Sequence, residues 1–222
     1  MKGCVFDLDG VITDTAKYHF AAWKKLAADQ LALQLPAEFE TELKGISRID
    51  SLIRILNWGK IRERYNEQQI ADLAVQKNDY YLSEIANLTA GDILPGITTL
   101  INQLQEHDIQ LSLASASKNA PFILKKLGLE KRFDAIVDPA KVAHGKPAPD
   151  IFLEGAAEIN LRPAECVGIE DAVAGVQAIK AAGMTAIGVG NPQELQQADE
   201  VVASTAELSF VLLESVWRRF NN

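Results

Sequence analysis

Short runs of aliphatic and β-branched residues alternate along most of the chain with apolar positions at helical spacing. The runs fall at residues 3–6, 109–114, 135–137, 166–169, 186–189 and 201–203, and each predicts a buried strand. Between most of them the period changes. Ile97, Leu100, Ile101 and Leu104 share one helical face. Asn119 is placed to cap a helix carrying Phe122, Ile123, Lys126 and Leu127, and Gly128 to end it. Helices are also expected over residues 151–159, 172–182 (closed by Gly183) and 206–220. Strand–helix alternation of this kind predicts an α/β fold with a doubly wound parallel sheet, covered by helices on both faces.

Residues 16–88 break the alternation. They hold no convincing strand and several helical stripes, such as Phe20, Trp23, Leu26 and Ala27, and later Ile70, Leu73, Ala74, Tyr81, Leu82 and Ile85. Ser47 and Asp50 have the spacing of a capping box ahead of a helix with Leu52, Ile53, Ile55 and Leu56. The expectation is an all-helical domain over 16–88, inserted into a core made of 1–15 and 89–222. Its two crossings would form a hinge.

Composition narrows the function classes. Lys and Arg total 22 against 30 Asp and Glu, a formal net charge of −8. An acidic chain offers no broad field to nucleic acid or an anionic membrane, so neither is expected as a partner. No apolar run reaches membrane-spanning length, and the first residues enter a strand at once rather than forming a signal peptide. The two cysteines, Cys4 and Cys166, sit in apolar runs and read as buried thiols of a reduced compartment. A monomer in the cytoplasm is the expectation.

Ligands of open parallel sheets bind beyond the C-terminal ends of the strands. Four polar clusters fall at such ends. The first is Asp7 and Asp9 in CVFDLDGVITDT, where two like charges sit close together unless a cation joins them. Carboxylate oxygens suit a hard ion such as Mg²⁺. The others are Ser115 to Asn119, Lys146 in HGKPAPD, and Glu170 with Asp171. Taken singly, each reads equally well as a cap, a solvated loop or a helix start. Together they suit phosphoryl transfer, with an Asp nucleophile, a second acid to move a proton, a metal, and Ser and Lys to hold phosphate oxygens. No P-loop is present, and the run at 188–192 lacks dinucleotide-fingerprint spacing. Arg48 stands at the first helical position after Ser47, where free N–H groups and the helix dipole already favour an anion. His19 and Trp23 lie one helical turn apart, which fits a packing pair as well as a sugar contact.

FDLDGVITDT, the Ser115 cluster, Lys146 and GIEDAVAG occur in the order of the haloacid dehalogenase superfamily, which the chain resembles across nearly its whole core. The helical insert is similar to that superfamily's cap domain, on a Rossmann-like core. With KGISRIDS, LASASKNAPFIL and AHGKPAPDIF, the chain resembles the β-phosphoglucomutase family over essentially all 222 residues. That resemblance implies small-molecule sugar phosphates as partners, namely β-D-glucose 1-phosphate and glucose 6-phosphate. These would be exchanged through β-D-glucose 1,6-bisphosphate, with Mg²⁺ as cofactor. It implies Asp7 as a phosphorylated nucleophile and Asp9 as general acid/base. Asp7, Asp9 (through its carbonyl), Asp171 and Glu170 would form the metal set. Ser115, the Ala116 N–H and Lys146 would hold the transferring group, and Arg48 with Ser117, Lys118 and Asn119 the other phosphate. His19, Trp23, Lys44, Gly45, Ser47, Ser51 and Lys77 would line the sugar side. Thr15, at the hinge, would position Asp9. A sugar-phosphate phosphatase and a catalytically silent sugar-phosphate sensor are the alternatives. Two stretches depart from the family pattern: His144-Gly145 ahead of Lys146, and Val75-Gln76 ahead of Lys77.

Overall fold

A computed structural model describes residues 1–221 and divides the chain into two compact units. One is Met1–Asp14 with the chain from Leu88 on, and the other is Thr15–Asn87.

In the first unit, six strands among the described residues form one parallel sheet. They are β1 (Gly3–Phe6), β2 (Gln110–Leu113), β3 (Ala135–Ile136), β4 (Cys166–Glu170), β5 (Thr185–Val189) and β6 (Glu200–Val202), in the order β3-β2-β1-β4-β5-β6. Every residue of β1, β4 and β5 is buried, so the sheet is covered on both faces. On one face Val5, Phe152, Ala156, Val176 and Ile179 form the main apolar cluster. The strand order reverses beside β1, which places a crevice at the C-terminal ends of β1 and β4.

The helical unit contains α1 (Ala16–Leu31), α2 (Glu40–Leu43), α3 (Arg48–Trp58) and α4 (Glu67–Ile85). Helix α4 packs against α1 and α3. Phe20, Trp23, Leu26, Leu52, Ile55, Leu56, Ile70 and Ala74 share its core. Asn66 and Gln69 form a reciprocal capping box at the start of α4. At α3 the Ser47 hydroxyl accepts the Asp50 N–H at 3.2 Å and donates to the Asp50 carboxylate at 2.6 Å.

The remaining helices belong to the first unit: α5 (Ile97–Glu106), α6 (Ala120–Leu127), α7 (Asp150–Glu158), α8 (Val173–Ala181) and α9 (Phe210–Asn221). Phe122 lies on the exposed side of α6 with Lys126, whose ammonium is 5.6 Å from its ring, while Ala120, Ile123, Leu124 and Leu127 face inward. Two expectations need correction. Asn119 precedes α6 without a side-chain capping bond. The last helix starts at Phe210 rather than near 206, because Ser204 caps a separate short turn over Thr205–Glu207.

Candidate functional site

The site of the α/β unit begins where β1 ends. Asp7 continues the ladder, its N–H donating to Ile169 O at 3.0 Å. The chain then folds tightly on itself. Ile12 and Thr13 donate to Leu8 O, and Gly10 donates to Thr13 O. The Thr13 hydroxyl donates to Asp92 O at 2.8 Å, and Leu94 N–H to Ile12 O. This knot fixes the backbone of Asp9, which pairs with Thr13 in an isolated bridge. Gly10 has φ +77°, and a Cβ there would lie 2.1 Å from Asp171 Oδ2. Glycine is therefore required twice, by the left-handed backbone and by the adjacent carboxylate.

Lys146 is neither a solvated loop residue nor near the surface, although Gly145 and Pro147 on either side of it are exposed. Its Nζ donates to Asp7 Oδ1 at 2.5 Å and to Glu170 Oε2 at 2.9 Å, all three side chains being almost fully buried. Glu170 does not start a helix. It closes β4, and its Oε1 accepts the Ala172 N–H at 3.1 Å. A Cβ at Gly175, in the first turn of α8, would lie 2.1 Å from Glu170 Cδ, so that glycine makes room for the carboxylate.

One ammonium serves this group of acids. Burial pushes the Glu170 carboxyl well up, and the charges of Asp7 and Asp171 push it further against the pull of Lys146. Burial works against the Lys146 ammonium, but the Asp7 and Glu170 carboxylates outweigh it and hold its pKa above the ordinary lysine value. Oxygens of Asp7, Glu170 and Asp171 come within 4.8 Å of one another. An all-oxygen donor set of this kind suits a hard divalent ion. The residues present fit such a cation.

Beyond β2, Ser115 is buried, and its hydroxyl accepts the Ser117 N–H at 3.1 Å. The Ser117 hydroxyl accepts the Asn119 N–H at 3.3 Å. These turns carry Ala116 and the exposed Lys118 around the strand end.

The helical unit gathers its own polar group. Lys77 on α4 is only 1% exposed. Its Nζ lies 2.6 Å from His19 Nδ1, 4.8 Å from the Trp23 ring centre and 4.7 Å from that of Tyr81. His19 stacks on Tyr81 with ring centres 3.8 Å apart. Burial, then the charges of Lys77 and Arg48, hold the His19 ring well below its usual pKa, so it is neutral. An ammonium only donates, so Nδ1 accepts from Lys77 and the ring proton sits on Nε2. Tyr81, read from the sequence as packing, is thus part of this cluster, and only its helical phase relative to Lys77 could have indicated it. Arg48 opens α3, and burial lowers its pKa while Tyr81 and Asp79 act to raise it. Ser51 is buried and donates to Ser47 O at 2.9 Å. Lys44 is exposed at the end of α2, and Gly45 turns the chain at φ +71°. The Thr15 hydroxyl is buried, does not cap α1, and has no hydrogen-bond partner among the described residues.

Over residues 1–183 the chain matches the family of haloacid dehalogenase-like hydrolases. The chain belongs to that family. A β-phosphoglucomutase of Bacillus subtilis (strain 168) is 48% identical over 220 residues, spanning 99% of this chain and 97% of the relative. A fructose-1-phosphate phosphatase of Escherichia coli (strain K12) is 33% identical over 189 residues, spanning 84% and 95%. The crystal structure of a β-phosphoglucomutase from Clostridium difficile superposes with a TM-score of 0.97 at 44% identity, covering 99% of this chain and 98% of that one. The haloacid dehalogenase-like fold thus accounts for the parallel sheet and the acidic group at its edge. No helix among the described residues is long and apolar enough to cross a membrane.

Proposed function

We infer that the chain is a β-phosphoglucomutase, an isomerase exchanging β-D-glucose 1-phosphate and D-glucose 6-phosphate through β-D-glucose 1,6-bisphosphate. The near full-length likeness to the Bacillus subtilis enzyme carries this reading. The buried Asp7, Lys146 and Glu170 group supports it chemically, since a sensor needs no nucleophile held beside an ammonium.

In the proposed cycle Asp7 begins as an aspartyl phosphate. The C6 hydroxyl of β-glucose 1-phosphate attacks phosphorus and loses its proton to the Asp9 carboxylate, the bond from phosphorus to Asp7 breaks, and the bisphosphate forms. After the sugar reorients, an Asp7 oxygen attacks the phosphorus on C1. The C1 oxygen leaves with the proton from Asp9, giving glucose 6-phosphate and the phosphorylated enzyme again. Lys146 already touches Asp7, so its ammonium reaches a phosphoryl group bound there; Ser115 and the Ala116 N–H are assigned to the same group. Asp7, the Asp9 carbonyl and Asp171, with Glu170 beside them, would hold Mg²⁺, which when bound offsets the charge of carboxylate and phosphate as they meet.

Arg48, with Ser117, Lys118 and Asn119, is assigned to the second phosphate. His19 (as a neutral donor through Nε2), Trp23, Lys44, Gly45, Ser47, Ser51 and Lys77 are assigned to the sugar. Thr15, with its unpartnered hydroxyl, is assigned to positioning Asp9.

The phosphatase likeness defines the competing reading. A coupled assay with α- and β-glucose 1-phosphate, Mg²⁺ and a trace of the bisphosphate separates the two. The β-anomer should yield glucose 6-phosphate with negligible free phosphate. Exclusive phosphate release would make the chain a phosphatase.

A further inference from the structure

We propose that His144 is a positioning residue for Lys146, tying the loop that carries this lysine to the start of α7 through Asp150. The loop leaves β3, passes through exposed residues, and must deliver one ammonium to Asp7. Two features shape it. Ala148 N–H donates to Gly145 O at 3.0 Å, turning the chain around Lys146 and Pro147. Outside that turn, the His144 backbone N–H and the His144 Nδ1 both lie 3.1 Å from the same atom, Asp150 Oδ1.

A carboxylate only accepts, so Nδ1 carries the proton and both contacts are donated by His144. The Asp150 carboxyl is held below the usual range, first by the His144 side-chain bond, and stays an acceptor. Asp150 opens α7, whose next residues, Ile151 and Phe152, are buried in the core of the unit. Lys146 Nζ lies 5.0 Å from the Phe152 ring centre. The first half of the loop is thus fastened to the helix that also flanks the lysine. His144 itself is 74% exposed and, among the described residues, bonds to Asp150 rather than to the acids of the site, so its effect on the reaction runs through Lys146.

The proposal rests on the reading of Lys146 as a phosphoryl holder, and the test separates the two. The steady-state rate of conversion of β-glucose 1-phosphate is measured for the full chain and for His144→Ala, His144→Asn, Asp150→Ala and Lys146→Ala, each with its melting temperature. His144→Ala should lower kcat about fivefold, the scale of one exposed ion-pair contact, with KM and melting temperature nearly unchanged. His144→Asn should restore kcat, because its amide nitrogen can donate where Nδ1 does without the imidazole. Asp150→Ala, which removes the acceptor for both bonds, should cost more than His144→Ala, and adding His144→Ala to it should cost little further.

Wild-type kcat in His144→Ala alongside a disabled Lys146→Ala would overturn the positioning role and leave the reading of Lys146 intact. Equal loss in His144→Ala and His144→Asn would overturn it too, pointing to the imidazole itself. Full activity in Lys146→Ala would instead overturn the reading of the site.

Discussion

The two polar groups of the molecule are opposite in sign and are held by different means. In the α/β unit, Asp7 and Glu170 share one ammonium, Asp171 lies close to both, and the ends of parallel strands carry them. In the helical unit, Lys77, His19 and Arg48 are all basic groups, and the rings of Trp23 and Tyr81 flank the buried lysine. The first group gathers oxygen donors and suits a hard metal ion. The second sets basic groups beside one another, with Asp79 acting on Arg48. A strand-end site tolerates no backbone change, whereas a site on helix faces should tolerate side-chain changes and answer chiefly in its charge.

The largest effect should come from disturbing the strand-end backbone. Gly10→Ala puts a Cβ into a φ +77° position and 2.1 Å from Asp171 Oδ2. The backbone strain alone should cost roughly 1–2 kcal/mol of stability. Displacement of Asp171 should weaken Mg²⁺ binding by about tenfold or more, as measured by calorimetric titration. Unchanged metal affinity would show that Asp171 stands outside the cation site.

Lys77→Met tests the helical group. It removes one of the two charges that lower the His19 pKa, so the ring should titrate closer to its ordinary value in NMR while burial still holds it low. The stability consequence has a definite sign. His19 is neutral in the fold but takes a proton in the unfolded chain below about pH 6.5. Stability should therefore fall as pH drops through that value, by at most about 1.4 kcal/mol per pH unit for this group. In Lys77→Met, urea midpoints at pH 7.5 and 5.5 should differ less than in the parent. An unchanged His19 titration would mean that the 2.6 Å contact carries no charge coupling.

The smallest effect lies within the sheet of the α/β unit. The Ser112 hydroxyl in β2 is fully buried and has no hydrogen-bond partner among the described residues. Ser112→Ala should leave turnover unchanged and raise stability by about 1 kcal/mol in urea unfolding. A loss of stability would reveal a partner for that hydroxyl.

The same contrast explains what could be read from the chain. Apolar runs placed all six strands to within a residue or two, because a strand buried on both faces has few other sequences available to it. Asp7, Lys146 and Glu170 were legible as strand-end polar residues, and sheet topology did the rest. Helix phase was less informative. Phe122 was placed on a helix without a face and is exposed, since a short helix with lysines around it has room to turn an aromatic outward against Lys126. Tyr81 fitted the apolar stripe but also stacks on His19, and no local pattern marks a ring as a platform for a base. The need for Gly10 arose from a carboxylate distant in sequence, and that for Gly175 from the direction of the nearby Glu170 side chain; neither was visible until the fold set them together.

The central claim is that Asp7 carries the phosphoryl group between the two positions of the sugar. Mass analysis of peptides from protein quenched in acid after mixing with Mg²⁺ and β-D-glucose 1,6-bisphosphate reads this directly. The account predicts one added phosphoryl group on the peptide containing Asp7, absent in Asp7→Asn, which should also lose turnover by on the order of 10⁴-fold or more. An unmodified peptide under conditions that form glucose 6-phosphate, or an Asp7→Asn protein that still isomerises at the parent rate, would contradict it.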